Sequence, residues 1–305
     1  MILVTLSMLV DRAEAVACVC ARNVALPSAG VLRPWAGVFA LDYGAKLEAD
    51  PDSWRGFAIV DRGGDSMAGM YMPPMLVHTA SLGATLGLPS HFSVSTTLPY
   101  MYKDLLGESE MPGDTDLSSL NDVDLTGHWA WASTARSKAF VALSAGPTFP
   151  TGTVVPNSPV RSGLGVLGAT ASASTGAKAS PHVALAAQVS GAGGFGPDTT
   201  GYTVAPTASF VGGVQWSPRE NGKLSLAALG MERWSGHDRE DALVYEDSGY
   251  LVTDLALAAT YTFWAEGVRS ATFSVRAQAP VYQVVGDPMY AENFGASTGV
   301  SFVAF

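Results

Sequence analysis

From Leu251 to Phe263 the chain changes character at every step. Leu251, Thr253, Leu255, Leu257, Ala259, Tyr261 and Phe263 share one face, and Val252, Asp254, Ala256, Ala258, Thr260 and Thr262 share the other. A period of two is that of a β-strand whose faces meet different surroundings. The next segment repeats it, with Ala271, Phe273, Val275, Ala277, Ala279 and Val281 opposed to Thr272, Ser274, Arg276, Gln278 and Tyr282. Comparable runs lie at about 31 to 46, 72 to 87, 91 to 104, 122 to 134, 138 to 149, 163 to 176, 181 to 194, 201 to 217, 222 to 235 and 295 to 305. With 250 to 263 and 268 to 286 the pattern predicts twelve strands. Most reach roughly ten residues, beyond the five or six usual in soluble sheets.

The connections alternate in length. Short ones fall at Leu88-Pro89-Ser90, Ala135-Arg136-Ser137, Ala177-Lys178-Ala179, Ser217 to Gly222 and Ala265-Glu266-Gly267; longer ones fall near 47 to 71, 105 to 121, 150 to 162, 195 to 200, 236 to 249 and 287 to 294. Composition then narrows the setting. Only 14% of the residues are charged, against roughly 25% in an average soluble domain. Another 48% are hydrophobic, yet beyond the amino-terminal segment no apolar run is long enough for a spanning helix. Lipid accepts helices or closed barrels and nothing else. The expected fold is therefore all-β, a single antiparallel transmembrane barrel of about twelve strands with short periplasmic turns and longer extracellular loops. Trp35, Tyr43, Tyr100, Tyr102, Trp129, Trp131, Tyr202, Trp216, Trp234, Tyr261, Phe263 and Trp264 sit mostly near strand ends, where amphipathic rings favour a membrane interface.

Short motifs point the same way. Gly113-Asp114, then Asn121-Asp122-Val123-Asp124-Leu125 entering an aromatic strand, then Thr148-Phe149-Pro150-Thr151-Gly152 closing the next, and the terminal Phe305, resemble the Gram-negative outer-membrane barrels grouped with the transporter-like proteins of phenol meta-cleavage pathways. The resemblance spans about 31 to 305 and implies an outer-membrane barrel inserted by the assembly machinery and surrounded by lipid and lipopolysaccharide. The closing strand departs from the commonest assembly signal, with Gly299 one position off and Val300 where glycine is expected.

Inward positions are mainly small: Ser93, Ser95, Thr97, Thr126, Ser144, Gly146, Ala184, Ala186, Ser190, Thr203, Ala205, Thr207, Ser209, Thr272 and Ser274. The polar exceptions are Asp42, Lys46, Asp124, His128, Gln188, Gln215, Asp254, Arg276 and Gln278. Of these, Asp42, Asp124, His128, Arg276 and Gln278 are the candidate bore-lining residues. Paired basic tracks of the kind that pass anions are not visible, so a passive channel for small neutral or weakly hydrophobic solutes is the leading expectation. The alternative is a structural or surface-interaction barrel in which inward charges satisfy one another inside a closed lumen. A lipid hydrolase is the weakest reading. His91 and Ser93 share a face with no orienting Asn, and Asp124 and His128, four apart on a strand, are separated by about 13 Å. No enzyme, cofactor or metal is expected.

Net charge is −10, and without basic stripes nucleic acid is excluded as a partner. Acidic runs at Glu108, Glu110, Asp114 and Asp116 and at Asp238, Glu240, Asp241, Glu246 and Asp247 are solvated loops or cation bridges to lipopolysaccharide. At the amino terminus, Ile2 to Val10 is a short apolar run followed by Ala13-Glu14-Ala15, a small-x-small cleavage pattern. No positive residue precedes it. The expected organisation is a signal-peptide-like segment over 1 to 15, possibly to 17, a mobile periplasmic stretch over 16 to 30, and the barrel from 31 to 305. Cys18 and Cys20 follow the cleavage zone; lipidation of Cys18 after Ala15-Val16-Ala17, a tight disulfide, and metal binding remain open.

Overall fold

A computed structural model describes residue 35 and residues 37–49, 59–62, 74–106, 117–132, 139–153, 162–218, 223–240, 243–245, 249–266, 269–285 and 291–303. The amino-terminal segment, Cys18, Cys20, Phe305 and the acidic run from Glu108 to Asp116 lie outside these residues.

Twelve long strands form the wall: β1 (Gly37–Ala49), β3 (Met75–Gly87), β4 (Phe92–Leu105), β6 (Val123–Ala132), β7 (Ala139–Phe149), β8 (Gly168–Lys178), β9 (Val183–Gly194), β11 (Thr207–Trp216), β12 (Leu224–Ser235), β15 (Tyr250–Glu266), β16 (Arg269–Val285) and β17 (Ala291–Val303). Each pairs antiparallel with the next in the chain, and β17 returns to pair with β1. The result is a closed up-and-down barrel. Closure removes the sheet edges that would otherwise leave backbone groups unpaired in lipid. Short connections fall at the end where β1 begins and β17 ends, and longer ones at the other, the loop end.

The remaining strands are short. β2 (Ile59–Arg62) runs parallel to β16 over Tyr282–Val285. β5 (Leu117–Leu120) continues the line of β6 against β4, the two separated opposite Pro99, whose carbonyl accepts the Asn121 N–H at 2.9 Å. β10 (Tyr202–Thr203), β13 (Asp238–Glu240) and β14 (Leu243–Tyr245) form a separate small sheet at the loop end. The single strand expected over 201 to 217 is therefore divided. The barrel strand starts at Thr207, just after Pro206, while Thr203 belongs to β10 of the small sheet and Ala205, though buried, to the link between the two.

Burial runs opposite to that of a soluble protein. Leu257 is 70% exposed and Leu41 58%, on the outer wall, while Lys46 and Glu48 are 1% exposed inside. A surface of this kind is solvated by lipid chains, with polar residues turned to the interior.

Two bulges break the alternation near the loop end. Thr253 pairs with Tyr282 but Asp254 with Pro280, so Val281 is extra; Leu47 pairs with Phe294 but Glu48 with Glu292, so Asn293 is extra. Pro280 has no N–H to give the ladder, and a bulge is where a strand tolerates that loss. Beyond each bulge the faces exchange. Tyr282, expected inside, gives way to Gln283, which is fully buried, and Glu292 turns inward although Phe294, two residues on, faces outward.

Candidate functional site: the barrel interior

The bulged segments carry the most polar part of the interior. Arg233 on β12 grips Asp254 through Nε at 3.1 Å and Nη2 at 2.5 Å, and forks onto both oxygens of Glu292 at 2.6 Å each. Lys46 on β1 pairs with Glu48 at 2.6 Å and Glu292 at 3.1 Å. Lys103 on β4, also buried, is the further cation acting on Glu48. Gln283 donates to the Glu292 carbonyl at 2.6 Å and accepts its N–H at 2.8 Å, so that an amide side chain replaces a rung of the ladder.

Three cations, Lys46, Lys103 and Arg233, thus face three carboxylates, Glu48, Asp254 and Glu292. Charges removed from water persist only when paired and hydrogen-bonded, and the fork geometry of arginine suits this. β12 and β17 are three strand spacings apart, about 14 Å along the wall. The Arg233–Glu292 pair therefore passes in front of β15 and β16, through the interior. An apolar cluster lies beside it on the same wall, with Val211, Leu229, Met231 and Ala256 packed together.

β7, β8, β9 and β11 present a different surface. Their inward residues include Ser144, Gly146, Thr170, Ser172, Ser174, Ala184, Ala186, Gln188, Ser190 and Ser209, none of them ionisable, and the ionisable residue in step with them, Lys178, stands exposed at the turn end of β8 opposite Ala184. Neighbouring hydroxyls bond each other across strands, Ser144 to Ser172 at 2.5 Å and Ser190 to Ser209 at 2.6 Å.

The five candidate bore residues are all buried inside, at 6% to 8% exposure, and they fall into two groups rather than one ring. Asp42 and Arg276 act on one another, with Gln278 two residues along β16 from Arg276. Asp124 and His128 lie on β6, and the His128 ring nitrogen Nε2 bonds the Ser95 hydroxyl at 2.6 Å. This serine–histidine pair comes from neighbouring antiparallel strands, where only the register brings them together. A nucleophile beside a base needs an oxyanion site as well, and the backbone N–H groups of a continuous ladder are already committed to carbonyls. Of the other histidine considered, the expectation of a face shared with Ser93 fails. His91 sits in the β3–β4 turn with φ 69° and is exposed, whereas Ser93 is buried.

Sequence reasoning placed Lys46 and Asp254 inside and missed Glu48, Lys103, Arg233, Gln283 and Glu292. For Glu48 and Lys103 a signal existed, since each lies in step with recognised inward residues of its own strand; on β12 no inward residue was recognised, and the only signal for Arg233 was its alternation with the outward Trp234. For Gln283 and Glu292 there was none, because both depend on the bulges. Asp238, read as part of a solvated acidic loop or a cation bridge, is buried; it accepts the Ala205 N–H at 2.7 Å and the Tyr202 hydroxyl within the loop-end region.

No protein-family model and no curated protein matches the sequence. Among solved structures, the COG4313 outer-membrane channel of Pseudomonas putida F1 is similar over 90% of this chain and 97% of its own, with a TM-score of 0.68 at 14% identity. The fold is that of an outer-membrane β-barrel. More distant likenesses include the NanC porin (TM-score 0.47, 10% identity, 86% of this chain and 98% of that one) and the CymD monoaromatic hydrocarbon channel (TM-score 0.41, 11% identity, 89% of this chain and 88% of that one).

Proposed function

We propose that the protein is a passive outer-membrane channel for small neutral or weakly hydrophobic solutes, with both termini periplasmic and the loop end outside. The observation that carries this reading is the wall from β7 to β11, which, away from Lys178 at the turn end of β8, offers hydroxyls, the Gln188 amide, glycine and alanine without a charge. Small inward side chains leave room in a barrel of about twelve strands, and an uncharged wall neither holds nor repels ions. The apolar cluster of Val211, Leu229, Met231 and Ala256 adds a surface for the hydrocarbon part of a solute. Asp42, Arg276 and Gln278 on one side, and Asp124 and His128 on the other, tune the passage. No catalytic step is assigned to the interior.

The test is single-channel recording of the refolded protein in planar bilayers, paired with liposome swelling. Discrete openings, with faster swelling for uncharged than for charged solutes of equal size, are expected. A second reading, a barrel closed for a structural or surface-interaction role, is favoured by the ion network, whose members are nearly free of solvent contact at the loop end. A folded barrel that stays silent and osmotically tight would establish that reading instead.

A further inference from the structure

Asp42 lies on β1 opposite Gly299 of β17, and Gly299 in turn lies opposite Ser274 of β16. A Cβ placed on Gly299 would overlap the Asp42 carboxylate oxygen Oδ1 and would stand 3.2 Å from its Cγ and 3.1 Å from the Ser274 hydroxyl. The carboxylate therefore occupies the space that a side chain at 299 would fill. It lies across β17, on the side of Arg276, the cation that acts on it. Arg276 itself is registered against Ser297, the next inward residue of β17. Gln278 is treated likewise one step on, since a Cβ at Gly295 would meet its Cγ at 3.1 Å and its Cδ at 3.4 Å.

We infer that Gly299 is a positioning residue for selectivity: lacking a side chain, it lets the Asp42 carboxylate lie flat over β17 beside Arg276, keeping that charge off the axis of the bore. The inference rests on the channel reading above. Gly299 needs no special backbone angle for this; the requirement is space. With alanine at 299 the backbone has no cause to move, because the conflicting atom is the free end of a rotatable side chain. The carboxylate has the ladders of β1 and β17 behind it and can only swing inward, leaving Arg276 at the wall.

The decisive experiment is the reversal potential of Gly299→Ala under a potassium chloride gradient, measured with and without Asp42→Asn. One uncompensated carboxylate about 6 Å from a permeating ion in water favours the cation about threefold and disfavours the anion about threefold, so the permeability ratio rises about tenfold. That rise is expected in Gly299→Ala alone and is expected to vanish in the Asp42→Asn background, where an amide is displaced instead of a charge. No change in the single variant, or an equal change in both, overturns the inference.

A second measurement separates its failure from that of the channel reading. Unfolding midpoints in detergent or lipid are compared for Gly299→Ala, Asp42→Gly and the pair. Removing the Asp42 side chain should abolish the loss caused by Gly299→Ala, and should restore folding if the single variant fails to fold. Additive losses, or a double variant that also fails to fold, overturn the inference even in a barrel that conducts. Coupled losses in a barrel that is silent retain the position of Asp42 and discard the channel.

Discussion

The two sides of the interior solve the same problem in opposite ways. From β12 through β15, β16, β17 and β1 to β4, polarity is concentrated in long charged side chains that reach over their neighbours and neutralise one another. From β7 to β11 it is spread over short hydroxyls that bond the next strand and go no further. Both satisfy polar groups turned away from lipid. They differ in what a single substitution leaves behind: removing one ion of a linked set strands its partners, whereas removing one hydroxyl strands at most one neighbouring hydroxyl.

The largest effect should follow Arg233→Ala, which leaves Asp254 and Glu292 without their shared cation. A loss of about 3–5 kcal/mol is expected for breaking a buried pair, read from the denaturant midpoint of the folded barrel. If Arg233→Ala costs no more than Ser190→Ala, the contrast between the sides collapses. Next, a bulky residue on the uncharged wall, Ser172→Phe, should remove most of the single-channel conductance while moving the unfolding midpoint far less than Arg233→Ala does. An undiminished conductance would place the passage elsewhere.

Arg276→Ala should shift the reversal potential toward cations by about tenfold in permeability ratio, since one unit charge at close range in water acts about threefold on the cation and about threefold, in the opposite sense, on the anion. An unchanged potential removes Arg276 from the path. The smallest effect is expected for Ser95→Ala, which deletes one hydrogen bond to His128 and should cost about 1 kcal/mol. A loss as large as that of Arg233→Ala would mean that the serine–histidine pair belongs to a wider network.

Much of the wall was legible in the chain. Along Leu251 to Phe263 the face assignments follow from alternation, because Leu255, Leu257, Tyr261 and Phe263 are exposed on the outer surface while Asp254 and Ala256 are buried. Arg276 and Gln278 were placed inside by the same rule. The rule loses its hold where the ladder is interrupted. Pro206 ends the strand that alternation would have carried back to 201, and the positive φ of Ser90 and His91 takes the β3–β4 turn out of the pleat.

The site was less legible than the wall, and the reason lies in distance along the chain. Arg233 and Glu292 are 59 residues apart and meet only because closure brings β12 and β17 to the same side of a ring. Ser95 and His128 meet through register. The sequence by itself determined a strand with a lipid face and a polar face, repeated twelve times, since a period of two is local and each strand declares it alone. Which polar residues pair was decided by the tertiary structure, through two bulges that turn Gln283 and Glu292 inward and through a closed barrel that sets side chains from distant strands against one another. Partners across an interior follow from curvature and register, and neither is a property of any one segment.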